Sequence, residues 1–269
     1  MELRPTTVGD VEALHALFLA SIASVYRPHA FEAPAPPLEV FASQQLHVVE
    51  TGTCVVAEEA GAIAGFGASW TRGGDWFLAS LFVAPAAQGR GVGSALLRAV
   101  WGEAARRRTI TDAIQPVSNA LYARHGLVPA TPVLAFAGLP SVAAPVEPCD
   151  ADVQAVDRAA YGFDRAVDHA YWSGQARRTT WPGAYTYAFP GGAIGPVAGE
   201  SPGAAAAALA GELARAGGPV RVRIPGSARR LVEVALAAGL TLEGPPGLLV
   251  LSDGLDAPDR LAIGSYTLS

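Results

Sequence analysis

Asp75-Trp-Phe-Leu-Ala-Ser-Leu-Phe-Val-Ala-Pro85, then Ala86-Ala-Gln-Gly-Arg-Gly-Val-Gly93, then Ser94-Ala-Leu-Leu-Arg-Ala-Val100, reads as a buried strand, a glycine loop and a helix. Trp76 to Val83 is an apolar, aromatic-rich run of strand length, closed by Pro85. Leu96, Leu97 and Val100 recur at helical spacing. Between strand and helix, Gly89, Gly91 and Gly93 leave the backbone bare. The first turn of a helix has unpaired N–H groups and the positive end of the helix dipole. Glycine lets an anion reach those groups. The stretch is a place to hold phosphate, and Arg90 adds charge.

Two common phosphate motifs are excluded. No Gly-Lys-Ser/Thr follows the loop, so it is not a nucleotide-kinase loop. A dinucleotide fingerprint would need glycine where Ser94 stands, and the flanking chain does not repeat strand-helix-strand units. What fits is Gln88-x-x-Gly91-x-Gly93 after a strand ending Leu81-Phe82-Val83-x-Pro85. This resembles the acetyl-CoA loop of the GNAT superfamily of N-acetyltransferases. The resemblance implies that the backbone of Gln88, Gly89, Arg90, Gly91, Val92, Gly93 and Ser94 holds the CoA pyrophosphate. It also implies that Leu81, Phe82 and Val83 pair with the pantetheine arm.

A second signature lies downstream. Ser118-Asn-Ala-Leu-Tyr122-Ala-Arg-His-Gly126-Leu127 resembles the family's short helix ending Tyr-x-x-x-Gly-Phe/Leu. The resemblance implies that Tyr122 lies by the CoA sulfur and protonates the leaving thiolate; otherwise it is a core aromatic. The chemistry is consistent, because a phenol of pKa near ~10 stays protonated while the conjugate acid of a thiolate has a pKa of roughly 8–9. The family often has an asparagine about seven residues earlier. Gln115, followed by Pro116, stands there, which leaves Ser118 or Asn119 to touch the CoA arm. No metal spacing is present.

The chain has 269 residues, half of them hydrophobic, enough for one large or two modest domains. The chain has no lysine and its net charge is −5, a poor balance for nucleic-acid binding. The Arg106-Arg107-Arg108 run reads as a solvated helix end. Polar residues interrupt each apolar run before membrane-span length, and Met1-Glu-Leu-Arg-Pro5 has no apolar signal core. A cytoplasmic, bacterial protein, monomer or homodimer, without a membrane partner is expected. Cys54 and Cys149 read as buried or incidental thiols.

Taken in order, residues 1–138 read as strand, two helices, three antiparallel strands, helix, strand, helix and strand. That again resembles the GNAT order. The helix after the glycine loop is expected to last to about Arg108. A Pro-rich linker at 139–149 follows, and 150–269 repeats the pattern. Gly93 to Gly126 spans 33 positions and Gly203 to Gly239 spans 36. The fold class expected is α+β (mixed α/β), two tandem GNAT-like modules, each a mostly antiparallel sheet flanked by helices. The second copy is expected to be degenerate and to shape the acceptor pocket. Glu200-Ser-Pro-Gly203 replaces the glycine loop, and Ala235 stands in place of Tyr122. A carboxylate there would repel an anion, and Pro202 removes a backbone donor.

The expected function is acetyl transfer from acetyl-CoA to a primary amine, of a small molecule. Alternatives are a non-catalytic acyl-CoA binder, or a longer acyl donor admitted by Ala79, Ser80 and Ala84. The proton-accepting base is unassigned. Asp75, Glu39, His47, Glu50, Asp164, Asp168 and His169 are the candidates. Trp70, Arg72 and Trp76 are expected to line the acceptor cleft or to pack in the core.

Overall fold

The computed structural model describes all 269 residues. By contacts the chain divides into Met1–Val128 and Pro129–Ser269. The first unit runs β1 (Glu2–Pro5), α1 (Val11–Tyr26), α2 (Leu38–Thr51), β2 (Thr53–Glu59), β3 (Ala62–Arg72), β4 (Asp75–Val83), α3 (Val92–Val100), β5 (Arg106–Asp112) and α4 (Pro116–Arg124). β6 (Leu127–Gly138) leads into the second unit.

The first unit's sheet has the order β1-β2-β3-β4-β5. All neighbours are antiparallel except β4 and β5, which run parallel. The β2–β3 turn fits its sequence: Ala60 and Gly61 both adopt left-handed φ, 50° and 78°, as a tight hairpin turn needs. Alternate residues of a strand face opposite sides. Val56 of β2 therefore packs with Leu14 and Leu17 of α1, while its neighbour Ala57 packs with Val92 and Leu96 of α3. The sheet is covered on both faces. Arg4 pairs with Asp10 and Glu58 at 2.8 and 2.9 Å and fixes β1 at the start of α1.

Three expectations need correction. The stretch Val8–His29 is long and apolar enough to cross a membrane by length and composition. Its Leu14, Leu17, Ile22 and Tyr26 are buried within this unit's core. Second, α3 ends at Val100, not near Arg108; Gly102 turns left-handed at φ 59°. Third, the arginine run is not a helix end but the start of β5. Alternation puts Arg106 and Arg108 on one side, where both pair with buried Asp75, the former at 2.6 Å. Arg107 points the other way and lies over the Trp101 ring at 4.8 Å.

The second unit contains α5 (Val153–Ala160), α6 (Ala166–Ser173), β7 (Arg177–Trp181), β8 (Ala184–Ala188), β9 (Ala193–Gly199), α7 (Pro202–Ala214), β10 (Val220–Pro225), α8 (Arg229–Ala237), β11 (Thr241–Leu242), β12 (Gly247–Ser252) and β13 (Leu261–Ala262). Its strands are ordered β12-β6-β10-β9-β8-β7, with β11 on β6 and β13 on β9. The strand read as closing the first half does form, as β6. Its partner is β10, in register from Val133↔Pro225 to Gly138↔Val220. Phe136 makes that pairing favourable, buried with Val222 and Ile224 under α7 and α8. The contact boundary thus falls ahead of the Pro-rich stretch at 139–149. β7 was not anticipated, because Arg177-Arg178-Thr-Thr lacks an apolar alternation. The last strand, β13, is only Leu261–Ala262 and pairs antiparallel with β9.

Asp75 is 2% exposed and Arg108 is mostly buried beside it, so removing the carboxylate takes away a buried cation's ion-pair partner. Asp75→Ala should lower unfolding free energy by about 3 kcal/mol, read as a shift of the urea midpoint.

Candidate functional site

β4 and β5 pair in parallel only from Asp75↔Arg106 to Leu78↔Thr109. The Thr109 hydroxyl closes the pairing by donating to the Leu78 carbonyl at 2.8 Å. Beyond it, the edge of β4 from Ala79 to Val83 that faces away from β3 has no strand partner. On the β3 side, the register slips between Ala68↔Ser80 and Ser69↔Leu78, so Ala79 is bulged out of the ladder. A strand with free backbone groups on one edge can pair with an extended ligand.

The glycine loop continues from this edge. Gly91 is the N-cap of α3, left-handed at φ 83°, with no side-chain cap. Gly89 is left-handed at φ 75°. Nothing lies within 4 Å of where a Cβ would stand on either residue, so the loop is open. The amides of Gly89 through Ser94 find no backbone or side-chain acceptor in the fold. Six adjacent bare N–H groups at a helix start form an anion cradle. Gln88 does not face the cradle with its side chain; its Nε2 donates to the Val83 carbonyl at 3.2 Å. Arg90 is exposed and paired with Glu59 at 2.6 Å.

α4 carries the second signature past the same region. Leu121 comes to 3.9 Å from the Cβ position of Gly93. Ser118 bonds Thr111 of β5 at 3.1 Å, which ties the helix to the strand. Asn119 donates weakly to the Ala113 carbonyl at 3.4 Å and leaves its Oδ1 buried without a donor. Gln115 caps the helix through Val117 N. Tyr122 is 4% exposed, and its hydroxyl makes no hydrogen bond to the protein. Burial, and then the nearby Asp112 charge, push its pKa above the phenol range. His125 bonds the Leu121 carbonyl at 3.0 Å, a helix-end role.

Asp112 is the residue that sequence reading missed. It ends β5, half-buried, and accepts from the Tyr26 hydroxyl at 2.8 Å across 86 residues. Burial raises its pKa, offset in part by the Tyr26 bond. No sequence spacing connects it to α1.

The residues nominated as base or cleft lining are otherwise engaged. Asp75 is held by arginines 106 and 108. Glu39 and Glu50 are exposed, and His47 is buried within α2 with a partner of its own. Trp70 stacks on Phe77 at 4.9 Å, and Trp76 donates to the Val100 carbonyl at 2.8 Å. Arg72 holds the end of α2 through the Thr51 carbonyl at 3.0 Å and the Thr51 hydroxyl at 2.9 Å. All three are core. Cys54 is buried and its thiol is pushed up to about 12.

The second unit is closed at both corresponding places. Ser201 caps α7 by accepting from Ala204 N at 3.1 Å, Pro202 occupies the first turn, and Arg260 takes the Glu200 carbonyl at 3.0 Å. Asp168 and His169 sit in a buried network, not a pocket. His169 bridges Asp157 at 2.9 Å and Tyr187 at 2.8 Å; Tyr185 reaches Asp157 at 2.8 Å. Arg165 contacts Asp168 at 3.3 Å and lies between the rings of Tyr161 and Trp172, at 4.4 and 4.6 Å. Asp164 accepts from the Ala166 amide at the start of α6.

Residues 50–128 match the family model described as Acetyltransferase (GNAT) domain. A Pyrococcus horikoshii protein provisionally assigned as an acetyltransferase has the same architecture, at TM-score 0.79 and 18% identity over 100% of this chain and 95% of its own. A GCN5-related N-acetyltransferase from Sphaerobacter thermophilus superposes at 0.64 with 16% identity, over 99% and 98%. A tandem GNAT protein from the clavulanic acid biosynthesis pathway superposes at 0.59 with 15% identity, over 95% and 99%. These likenesses show a mixed α/β tandem GNAT fold. No curated protein has a matching sequence.

The capped start of α7 predicts its own cost. Ser201→Ala should destabilise the protein by about 1 kcal/mol in urea unfolding, the usual loss of an N-cap.

Proposed function

Residues 50–128 being a GNAT acetyltransferase domain, we propose that this chain moves an acetyl group from acetyl-CoA to a primary amine of a small molecule by direct attack. The observation that carries the reading is the start of α3, where adjacent amides have no partner, together with the buried, orphaned Asn119 Oδ1 on α4, the helix that also carries Tyr122. Buried polar groups are normally satisfied, so groups left open together point to a ligand that satisfies them.

The residues fit the donor. The bare amides from Gly89 to Ser94 suit a pyrophosphate, and the orphaned Asn119 Oδ1 suits an amide N–H of the arm. The free edge at Leu81, Phe82 and Val83 suits backbone pairing with that arm, with Ser118 alongside. Acetyl-CoA supplies an activated thioester. The amine lone pair forms the C–N bond at its carbonyl carbon. The oxygen takes the charge, and backbone N–H groups near the bulge at Ala79 stabilise it. The C–S bond then breaks with its electron pair on sulfur, and Tyr122 gives that sulfur its proton. Because its pKa is raised, the phenol keeps its proton up to strongly basic pH and remains an acid throughout the working range. The capped α7 start and the absence of a tyrosine at Ala235 support a single donor site in the chain.

Thiol release from acetyl-CoA with a panel of primary amines tests this. Tyr122→Phe should lower kcat by about 100-fold, while calorimetry finds acetyl-CoA affinity unchanged. Unaltered turnover would remove Tyr122 from the acid role. Gly91→Glu places a carboxylate in the cradle and should weaken acetyl-CoA binding at least about tenfold, a loss of ~1.4 kcal/mol. Gly203→Glu, at the closed helix start, should leave it unchanged. Tight binding with no thiol release for any amine would instead favour a non-catalytic acyl-CoA binder.

A further inference from the structure

We propose that Asp112 is the general base of this site, held in place by the Tyr26 hydroxyl, and that it serves both the acceptor amine and Tyr122. The inference rests on the acetyl-transfer reading above and adds the group that reading lacks.

Three observations place Asp112. The β4–β5 pairing stops at Leu78↔Thr109, so Ile110–Asp112 runs on beside the gap and ends with this carboxylate. Its Oδ1 accepts from Tyr26 at 2.8 Å, and Oδ2 has no protein partner. Thr111, the residue before it, bonds Ser118 of α4 at 3.1 Å, which brings the strand end against the helix that carries Tyr122, and the Asp112 charge helps to raise the Tyr122 pKa. Asp112 therefore stands between a phenol on α1 and the phenol on α4.

The charged surroundings leave it available. Tyr26 faces it from α1 and Tyr122 from α4. On β5 itself the cations are Arg106, Arg107 and Arg108, all at the far end of the strand; the first and third are committed to Asp75, and Arg107 lies over the Trp101 ring. β4 brings no charged side chain other than Asp75. With burial and no cation, Asp112 is held above the ordinary carboxylate range. A carboxylate so placed accepts a proton more readily than an exposed one. Tyr26 is a positioning residue: its hydrogen bond fixes the carboxylate and favours the charged form.

The protons balance as follows. An ammonium acceptor gives one proton to Asp112, which frees its lone pair. That pair forms the C–N bond, the C–S pair goes to sulfur, and Tyr122 protonates sulfur. Asp112 returns its proton to the Tyr122 phenoxide. The second nitrogen proton leaves through Asp112 to water. The products are amide, free thiol and one released proton.

The test uses the full chain with acetyl-CoA and the fastest amine of the panel. Asp112→Asn is near-isosteric and should lower kcat by about 100-fold without changing acetyl-CoA affinity, and should abolish the acid limb of the pH–rate profile. Asp112→Glu should restore part of the rate and the limb. Tyr26→Phe removes a bond that lowers the Asp112 pKa, so the acid limb should move to higher pH. Carboxyl carbon NMR gives a reading independent of turnover: one resonance, missing in Asp112→Asn, should titrate above ordinary aspartate and rise further in Tyr26→Phe. Full turnover with an intact acid limb in Asp112→Asn overturns the base and leaves acetyl transfer standing. An ordinary aspartate titration overturns it too. No thiol release from any amine in the unmodified protein removes acetyl transfer and the base with it.

Discussion

The site depends on a parallel strand pair clamped at one end and open at the other. Asp75, 2% exposed, is the clamp. Two arginines reach it from β5, and the Thr109–Leu78 bond marks the last place where the strands meet. A buried carboxylate is unfavourable without such partners. Once it is satisfied at the start of the strands, β4 and β5 are fixed there. The bulge at Ala79 then bends β4 just where β5 leaves it. The free edge, the glycine loop that follows it and the α4 tyrosine all inherit their positions from that divergence.

Openness, more than residue type, separates the two halves. Both contain a helix that starts after a strand, with glycine nearby. In the first half the helix begins at a bare left-handed glycine and its amides are unspent. In the second, Ser201 takes an amide, Pro202 has none to give, and Arg260 covers the preceding carbonyl. The same backbone geometry is thus an anion cradle in one half and an ordinary capped helix in the other. A Cβ on Gly199, just ahead of that helix, would meet Ala205 N at 2.5 Å, so strand and helix are in contact there.

What was legible in the sequence was local. Gln88 to Gly93 and Ser118 to Gly126 each carry their meaning within one turn and one helix, where spacing alone fixes geometry. The Ala60–Gly61 hairpin was legible for the same reason. What was not legible depended on pairing across the chain. Arginines 106 to 108 have the composition of a helix end; only the buried Asp75, 31 positions from the first, makes them a strand. β6 closes a sheet in sequence order, yet its register is set by Val220–Pro225. Trp70, Arg72 and Trp76 have the chemistry of a binding cleft and the contacts of a core. Asp112 has no motif at all, since its meaning comes from Tyr26, 86 residues away.

The chain holds two carboxylates that meet tyrosines, one fully buried and one half-buried, and their environments decide which can do chemistry. Asp157 is fully buried and accepts from Tyr185, His169 and the Arg165 amide, so both of its oxygens are engaged. Asp112 accepts one bond and keeps one oxygen open. A proton arriving there displaces nothing, and burial without a cation already favours the neutral form. The second unit's network, with its aspartates, histidine and tyrosines, has the richer inventory and the less reactive arrangement. A strand end with one carboxylate, set between two phenols beside an open strand edge, has what proton transfer needs: a vacant acceptor and a neighbour to pass the proton on.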